Sequence, residues 1–370
     1  MRVGIAISRY KRSGGLERVS GEWARGLVSR GHEVTVFTQL VERSPGDEAI
    51  RFTDVGGLHS PIAARAATFP PAVTRAVKRA ALDGVISFGC TVLAPCVVRL
   101  PGAHRPWWEL ANSMAPVSSY EGLRRRMNPH HRFVLEYERL VLRSPDSRLV
   151  LAASDRAAGD IKRLYPRAAS RVRVVPDGID LAAFDFDFVR RDAQRSEWGV
   201  GERFVLLTVA TEVRRKGIAE LMRAFARTRG AVLVVVGKAA RDEVIRLAAE
   251  HGVSDRVRAV GFVKDIVAAY CAADLLVFPT IFDPWGLPVV ESLACGTPVV
   301  ASIQAGSAQV ISGSNGVLIG PANDAPAINA AIEEAMAKNW DRAAARSSVE
   351  HLAWPGVIDK VEEAFREAFP

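Results

Sequence analysis

The sequence predicts an α/β protein made of two Rossmann-like, doubly wound parallel-sheet domains facing a central cleft. Three observations predict it. Strand-sized apolar runs recur along both halves, stretches with a helical apolar period fall between them, and the whole pattern restarts once near the middle. Alternation of strand, loop and helix buries a parallel sheet under helices on both faces, and ligands sit at the carboxyl ends of such strands. The 370 residues suffice for two domains of about 150–200 residues each.

Residues 3–7 (Val-Gly-Ile-Ala-Ile) read as the first strand, and Gly14-Gly15 as a tight loop after it. Residues 16–30 place Leu16, Val19, Trp23 and Leu27 on one helical face, and Gly31 stands where such a helix ends. Residues 33–37, 85–88 and 149–152 read as later strands of the same sheet. Residues 172–180, Val-Arg-Val-Val-Pro-Asp-Gly-Ile-Asp, close this half. Residues 181–202 are charged and poorly periodic, and read as a linker or insertion. Strands resume at 204–209, 231–236, 257–261, 275–279 and 298–302, and residues 357–369 form a last amphipathic helix.

Composition narrows the class. With 49% hydrophobic residues the chain is globular. Its apolar runs fall far short of the roughly 20 residues that a membrane span needs, and residues 3–7 are too short for the apolar core of a signal peptide. Cys90, Cys96, Cys271 and Cys295 lie in apolar surroundings without a C-x-x-C pair, which fits buried thiols in a reducing cytosol better than a zinc site or disulfide framework. Charge is uneven. Residues 1–175 hold 28 Lys and Arg against 15 Asp and Glu, net +13, whereas the remainder holds 21 against 26, net −5. The first half therefore suits an anionic partner: a phosphorylated glycolipid, a membrane surface or, on charge alone, nucleic acid.

Residues 282–298, Phe-Asp-Pro-Trp-Gly-Leu-Pro-Val-Val-Glu-Ser-Leu-Ala-Cys-Gly-Thr-Pro, carry the most chemistry. A strand ends in a loop bearing Asp283 and Gly286, Pro288 opens a helix, and Glu291 is expected in its first turn, eight residues after Asp283. A helix start binds anions through unpaired N–H groups and its dipole. A carboxylate beside it suits hydroxyls, since it can only accept hydrogen bonds. Phosphate plus hydroxyls describes a nucleotide sugar.

This stretch resembles the Glu-x7-Glu signature of the retaining family-four glycosyltransferases, with Asp283 standing for the first Glu. The resemblance implies the GT-B fold, with residues 1–178 as the acceptor-binding domain, residues 179–355 as the donor-binding domain, and the final helix (356–370) returning to the first. It implies that Asp283 meets the donor sugar near its 3-hydroxyl and that Glu291 binds the ribose. Trp285, Gly286, Leu287, Val289 and Val290 then line the donor side. Residues 172–180 are similar to the family's junction element, with Asp177 where Asn is usual.

Four further stretches fit the same family. Arg215 and Lys216, in Glu212-Val-Arg-Arg-Lys-Gly217, stand where relatives place the basic pair for the donor diphosphate. Fixed cations there stabilise a leaving diphosphate more in the transition state than in the ground state. A basic helix start opposes the helix dipole, so the alternative of a plain exposed turn lacks a physical reason. Gly14 and Gly15, in Ser13-Gly14-Gly15-Leu16-Glu17, match the N-terminal Gly-Gly loop; Glu17 would cap or orient the helix. Residues 99–108, Arg-Leu-Pro-Gly-Ala-His-Arg-Pro-Trp-Trp, resemble an element of a lipopolysaccharide-core-like branch, which makes His104 either a catalytic-site histidine or a structural one. Trp107 and Trp108 fit a core, an acceptor platform or a membrane interface. Val263, after Gly261, matches the point where the family's backbone reads the nucleobase, and main-chain pairing suits uracil. The Asp185-Phe-Asp187 pair mimics a metal motif but has no supporting strand and is set aside. A basic helix-like region at 121–143, with Arg124, Arg125, Arg126, His130, His131 and Arg132, reads equally as a solvated face or a docking patch.

The resulting expectation is a cytoplasmic, membrane-peripheral, retaining hexosyltransferase that moves a sugar from UDP-hexose to a saccharide or lipid-linked acceptor. It needs no metal or other cofactor if Arg215, Lys216 and the helix start neutralise the diphosphate. A sugar-nucleotide epimerase of the same fold would need further acid–base residues. A basic nucleic-acid-binding protein would show a recognition motif, and none is present.

Overall fold

The computed structural model describes residues 1–11, 14–114, 119–237, 241–320 and 323–370. Ser13 of the Gly-Gly loop lies outside them. The chain divides into two compact units, Met1–Gly178 with Trp354–Pro370, and Ile179–Ala353.

The first unit runs β1 (Arg2–Ala6), α1 (Gly15–Ser29), β2 (Glu33–Thr38), β3 (Arg51–Asp54), α2 (Ile62–Arg79), β4 (Gly84–Phe88), β5 (Cys96–Arg99), α3 (His104–Met114), α4 (Tyr120–Met127), α5 (Pro129–Arg143), β6 (Ser147–Ala152), α6 (Asp155–Leu164) and β7 (Val172–Val174). Its seven strands form one parallel sheet in the order β3-β2-β1-β4-β5-β6-β7. Side chains alternate across β1: Val3 and Ile5 join Trp23 and Leu27 of α1 on one face, and Ala6 joins Phe69, Val73 and Leu142 on the other. Strands buried on both faces read as continuous apolar runs, as at Gly84–Phe88.

The second unit runs α7 (Phe188–Trp198), β8 (Phe204–Val209), α8 (Ile218–Phe225), β9 (Ala231–Val236), α9 (Arg241–Glu250), β10 (Val257–Gly261), α10 (Ile266–Ala272), β11 (Leu275–Phe278), α11 (Leu287–Ala294), β12 (Val299–Ser302), β13 (Gly316–Ile319), α12 (Ala325–Met336) and α13 (Arg342–Ser347). Its parallel sheet has the order β10-β9-β8-β11-β12-β13. The last helix, α14 (Trp354–Ala368), belongs to the first unit, where Val357, Ile358, Val361 and Phe365 enter the same core as α1.

Both sheets reverse direction at their first strand. β1 lies between β2 and β4, and β8 lies between β9 and β11. The crevice that forms at such a switch point is where open α/β sheets bind ligands. It puts the Gly14-Gly15 loop at one switch point, and the Arg215-Lys216 and Asp283 loops together at the other.

Three expectations change. Residues 181–202 are not a bare linker: α7 fills half of them, with Asp187 capping it by accepting from Val189 N and Arg190 N. Its buried face carries Gln194, Arg195 and Trp198, so apolar periodicity does not reveal it. The 121–143 region is two helices, broken where Asn128 caps α5 and Pro129 begins it. Strands β3, β5 and β13 add edges and an interior position that the sequence pattern did not mark.

Gly84 begins β4 beneath α14, where a Cβ would fall 2.4 Å from the Phe369 ring and 2.6 Å from that of Phe365. Gly84→Val should therefore cost about 1–3 kcal/mol through overpacking. Gly159→Ala, in α6 with nothing within 4 Å of the added methyl, should gain about 0.5–1 kcal/mol from helix propensity. Thermal and denaturant melts of the two variants should move in opposite directions; equal shifts would show that β4 and α14 do not pack as described.

Candidate functional site

Helix starts show which loops the sequence keeps open. Ser154, Asp187, Asp265, Asp324 and Asp341 each cap a helix by accepting a backbone N–H with their side chains. The starts of α1, α8 and α11 instead fall on Gly14, Gly217 and Gly286, which supply no capping side chain. These are the helices that follow β1, β8 and β11. An uncapped start leaves backbone donors and the positive dipole end for a ligand.

In the second unit the loops after β8 and β11 are stitched together. Gly217 sits at φ 69° with its Cα against the Pro279 carbonyl, where a Cβ would come within 2.1 Å; only glycine allows this approach. The Arg215 carbonyl accepts from Ile281 N at 3.0 Å and from the Thr280 hydroxyl at 3.0 Å. Asn323, buried, donates Nδ2 to the Pro279 carbonyl at 2.9 Å. This framework carries the charges. Lys216 Nζ donates to Asp283 Oδ2 at 2.5 Å, Arg215 lies 3.5 Å from the same oxygen, and Lys216 also sits 4.3 Å from the Phe278 ring centroid. Lys216 is only 7% exposed. Burial pulls its pKa below the ordinary lysine value, against the opposing pull of the Asp283 charge. The basic pair is thus not a solvated helix start but a buried ammonium and a half-buried guanidinium sharing one carboxylate.

Glu291 corrects the sequence reading. α11 begins at Leu287, so Glu291 falls in the second turn, not the first. It is buried, and its Oε2 accepts from the Tyr270 hydroxyl at 2.7 Å. Tyr270 comes from α10, the helix reached through Val263, and its own carbonyl accepts from the Thr297 hydroxyl. Nothing in the motif marked Tyr270 as Glu291's partner. Val289 and Val290 are fully buried, so these two offer a ligand their main chain alone. Leu287 is half-buried, and Trp285 is buried with its backbone N donating to Asp283 Oδ1 at 3.2 Å.

The first unit holds the other predicted residues. Gly14 and Gly15 are exposed at the start of α1. The Glu17 carboxylate folds back against Gly14, within 2.3 Å of where a Cβ would stand, and accepts from Arg9 at 3.0 Å. His104 is the first residue of α3, and its ring Nε2 lies 3.0 Å from His131 Nδ1 of α5. Burial, then the neighbouring His131 and His130, push its pKa down to about 4, so the ring is neutral at pH 7. The backbone N–H groups of His104 and Arg105 donate to the carboxylate of Glu138, which also accepts from Tyr165. Glu138 is 2% exposed, and burial raises its pKa. Glu138 was not marked by any motif; its one signal in the sequence is an acid in helical register with His131, Val134 and Val141. Trp108 is half-buried, and its ring lies tilted at 36° with its centroid 4.6 Å from that of His131.

Comparison with known proteins bears on the family and the fold. Residues 13–183 match the model for Glycosyltransferase Family 4, and residues 190–350 match the model for glycosyl transferases group 1. A probable transglycosylase of Burkholderia thailandensis is 29% identical over 342 residues, covering 91% of this chain and 86% of that protein. The lipopolysaccharide glucosyltransferase WaaG of Escherichia coli is 24% identical over 364 residues, covering 95% and 94%. A crystal structure of WaaG superposes with a TM-score of 0.81 at 22% identity, covering 98% of this chain and 99% of that one. Anabaena HepE in complex with UDP-glucose superposes with a TM-score of 0.74 at 19% identity, covering 99% of each chain.

Asp283→Asn should leave the Lys216 ammonium buried without its counter-charge, at a cost of about 3 kcal/mol, the lower end for breaking a buried pair. The sign with pH is fixed: the folded Lys216 pKa already lies below its unfolded value and should fall further in the variant. The deficit should be full below that folded pKa and shrink as pH rises through it, because the neutral amine needs no partner. Denaturant melts from about pH 7 to 10 check this, and a pH-independent deficit would contradict it.

Proposed function

Because the chain belongs to the glycosyltransferases of GT-B type, pairing a family 4 domain with a group 1 domain, we propose that it is a retaining hexosyltransferase using a UDP-sugar. The observation that carries this reading is the joined pair of loops after β8 and β11. They set Arg215, Lys216, Asp283 and two uncapped helix starts at one switch point. The diphosphate takes the place beside Arg215 and Lys216, which turn from Asp283 toward the ligand. Asp283, released from full pairing, accepts from sugar hydroxyls. Glu291, held by Tyr270, accepts from the ribose, and the backbone at Val263 pairs with the base. The relative in complex with UDP-glucose supports a uridine donor.

In the first unit His104 is the hydroxyl-binding group, and Gly14 and Gly15 give a backbone surface close enough for a sugar or phosphate to approach. In transfer, the acceptor oxygen bonds to the sugar's anomeric carbon on the face that UDP leaves. The bond to the β-phosphate oxygen breaks, and that oxygen receives the acceptor's proton. Fixed cations stabilise the charge that grows there, so this chain's own residues suffice without a metal. The acceptor is an anionic saccharide or glycolipid such as lipopolysaccharide core, in keeping with WaaG, a lipopolysaccharide glucosyltransferase.

A peripheral membrane location fits α4. Tyr120 (80% exposed), Leu123 (46%) and Met127 (69%) form an outward apolar stripe beside Arg124, Arg125 and Arg126. No helix among the described residues is long and apolar enough to cross a membrane.

Calorimetry in the presence of a chelator should show UDP binding, much weakened in Glu291→Ala; binding only with a divalent cation would overturn the cation-only reading. Lys216→Ala should lower kcat by about 10²-fold or more, as for loss of one group stabilising a developing anion. The product sugar should keep the donor's anomeric configuration by NMR. Sedimentation with anionic phospholipid vesicles should fall with salt and be lost in Tyr120→Glu/Met127→Glu. Equal binding by that variant would remove α4 from the membrane reading.

A further inference from the structure

Glu291 has a partner from outside its own motif. Tyr270, with no exposed surface, donates its hydroxyl to Glu291 Oε2 at 2.7 Å, and Glu291 itself is 5% exposed. A carboxylate so buried is costly without donors, and a hydrogen bond to a charged acceptor is among the stronger kinds. Tyr270 is held in turn. Its carbonyl accepts from the Thr297 hydroxyl at 2.9 Å. Thr297 N donates to the Ser292 carbonyl, and the Ser292 hydroxyl donates to the Thr297 carbonyl. The tyrosine thus grips α11 by its side chain and the turn after α11 by its main chain. Helix α10, which carries it, is capped by Asp265 and buried from Val267 to Ala272.

We propose that Tyr270 is a positioning residue, whose hydroxyl aims the Glu291 carboxylate at the ribose and so sets a preference for ribonucleotide over deoxyribonucleotide donors. A glutamate has three side-chain torsions, and ordering them when a ligand arrives costs rotamer entropy. The tyrosine hydroxyl orders them beforehand. A carboxylate held in one orientation accepts well from the ribose hydroxyls, whereas one free to turn meets them in only some of its rotamers. A donor without those hydroxyls gains nothing from either state. The Tyr270 hydroxyl therefore acts on the choice between the two sugars and not on the grip of phosphate or base.

This inference rests on the reading of Glu291 as the ribose ligand, and the experiment separates the two. Calorimetry compares UDP with its 2′,3′-dideoxy analogue, which lacks the ribose hydroxyls. The parent protein should bind UDP about 10- to 100-fold more tightly, the range for hydrogen bonds to a charged group. Tyr270→Phe keeps a ring facing Phe184 and removes the hydroxyl. It should cut the ratio about three- to tenfold and leave affinity for the dideoxy analogue unchanged. A role in packing alone would weaken both ligands together and keep the ratio intact. Glu291→Ala should flatten the ratio, and adding Tyr270→Phe to it should change nothing more, because no carboxylate remains to be aimed. A full ratio in Tyr270→Phe beside a flat one in Glu291→Ala overturns the role of Tyr270. A full ratio in Glu291→Ala overturns the ribose reading instead, and the proposal falls with it.

Discussion

A buried ammonium needs a carboxylate, and the loops of the second unit are arranged around that need. At 7% exposure the Lys216 ammonium is costly unless Asp283 answers it. Asp283 reaches it only because Gly217 lets the loop after β8 lie on the backbone of the loop after β11. The Thr280 hydroxyl and Ile281 N then tie the Arg215 carbonyl to the same segment. Lys216 and Arg215 share the one Asp283 carboxylate, and Arg215 also lies 3.3 Å from Glu212. In the proposed reading a diphosphate meets cations already desolvated and held on that framework, so that only their side chains turn from Asp283. Preorganisation of this kind makes an electrostatic site effective.

The first unit solves a different problem with the same economy of parts. His104 stands at a helix start, where a side chain would normally swing with the fraying first turn. Here the cap comes from another helix, because Glu138 takes the N–H groups that no local residue takes. A carboxylate at 2% exposure is costly, and three donors offset part of that cost. The positive helix end favours its anionic form, yet burial still raises its pKa.

Legibility in the sequence followed the physics of each element. Strands buried on both faces were readable, since Ala231–Val236 and Leu275–Phe278 needed only apolar runs bounded by loops. Edge strand β3, Arg51–Asp54, is only partly buried and carries polar ends, so no run marked it. α7 was misread as linker because its inner face is polar: Arg195, 6% exposed, donates to the Gly201, Arg203 and Ala272 carbonyls and pairs with Asp274. Periodicity detects apolar faces and is blind to such a helix. In the site, charged motifs on loops were visible because spacing alone defines them. The partners Tyr270 and Glu138 were not, because they reach the site through tertiary packing from separate helices.

Two departures from the family pattern, Asp for Glu at 283 and Asp for Asn at 177, each set a carboxylate beside a buried cation. Each introduces or repositions a carboxylate, and each has an arginine or lysine answering it. Asp177 pairs with Arg99, a guanidinium with no exposed surface that also donates to the Val175 carbonyl at 2.6 Å and lies 5.2 Å over the Trp23 ring. An asparagine at 177 would leave that guanidinium buried with only carbonyls and an aromatic face, which is a net charge without a counter-ion. Asp283, one methylene shorter than Glu, is matched by a lysine brought close by the glycine that follows it. Each acid therefore acts together with the cation beside it. Reading either acid apart from its cation would misjudge what it does.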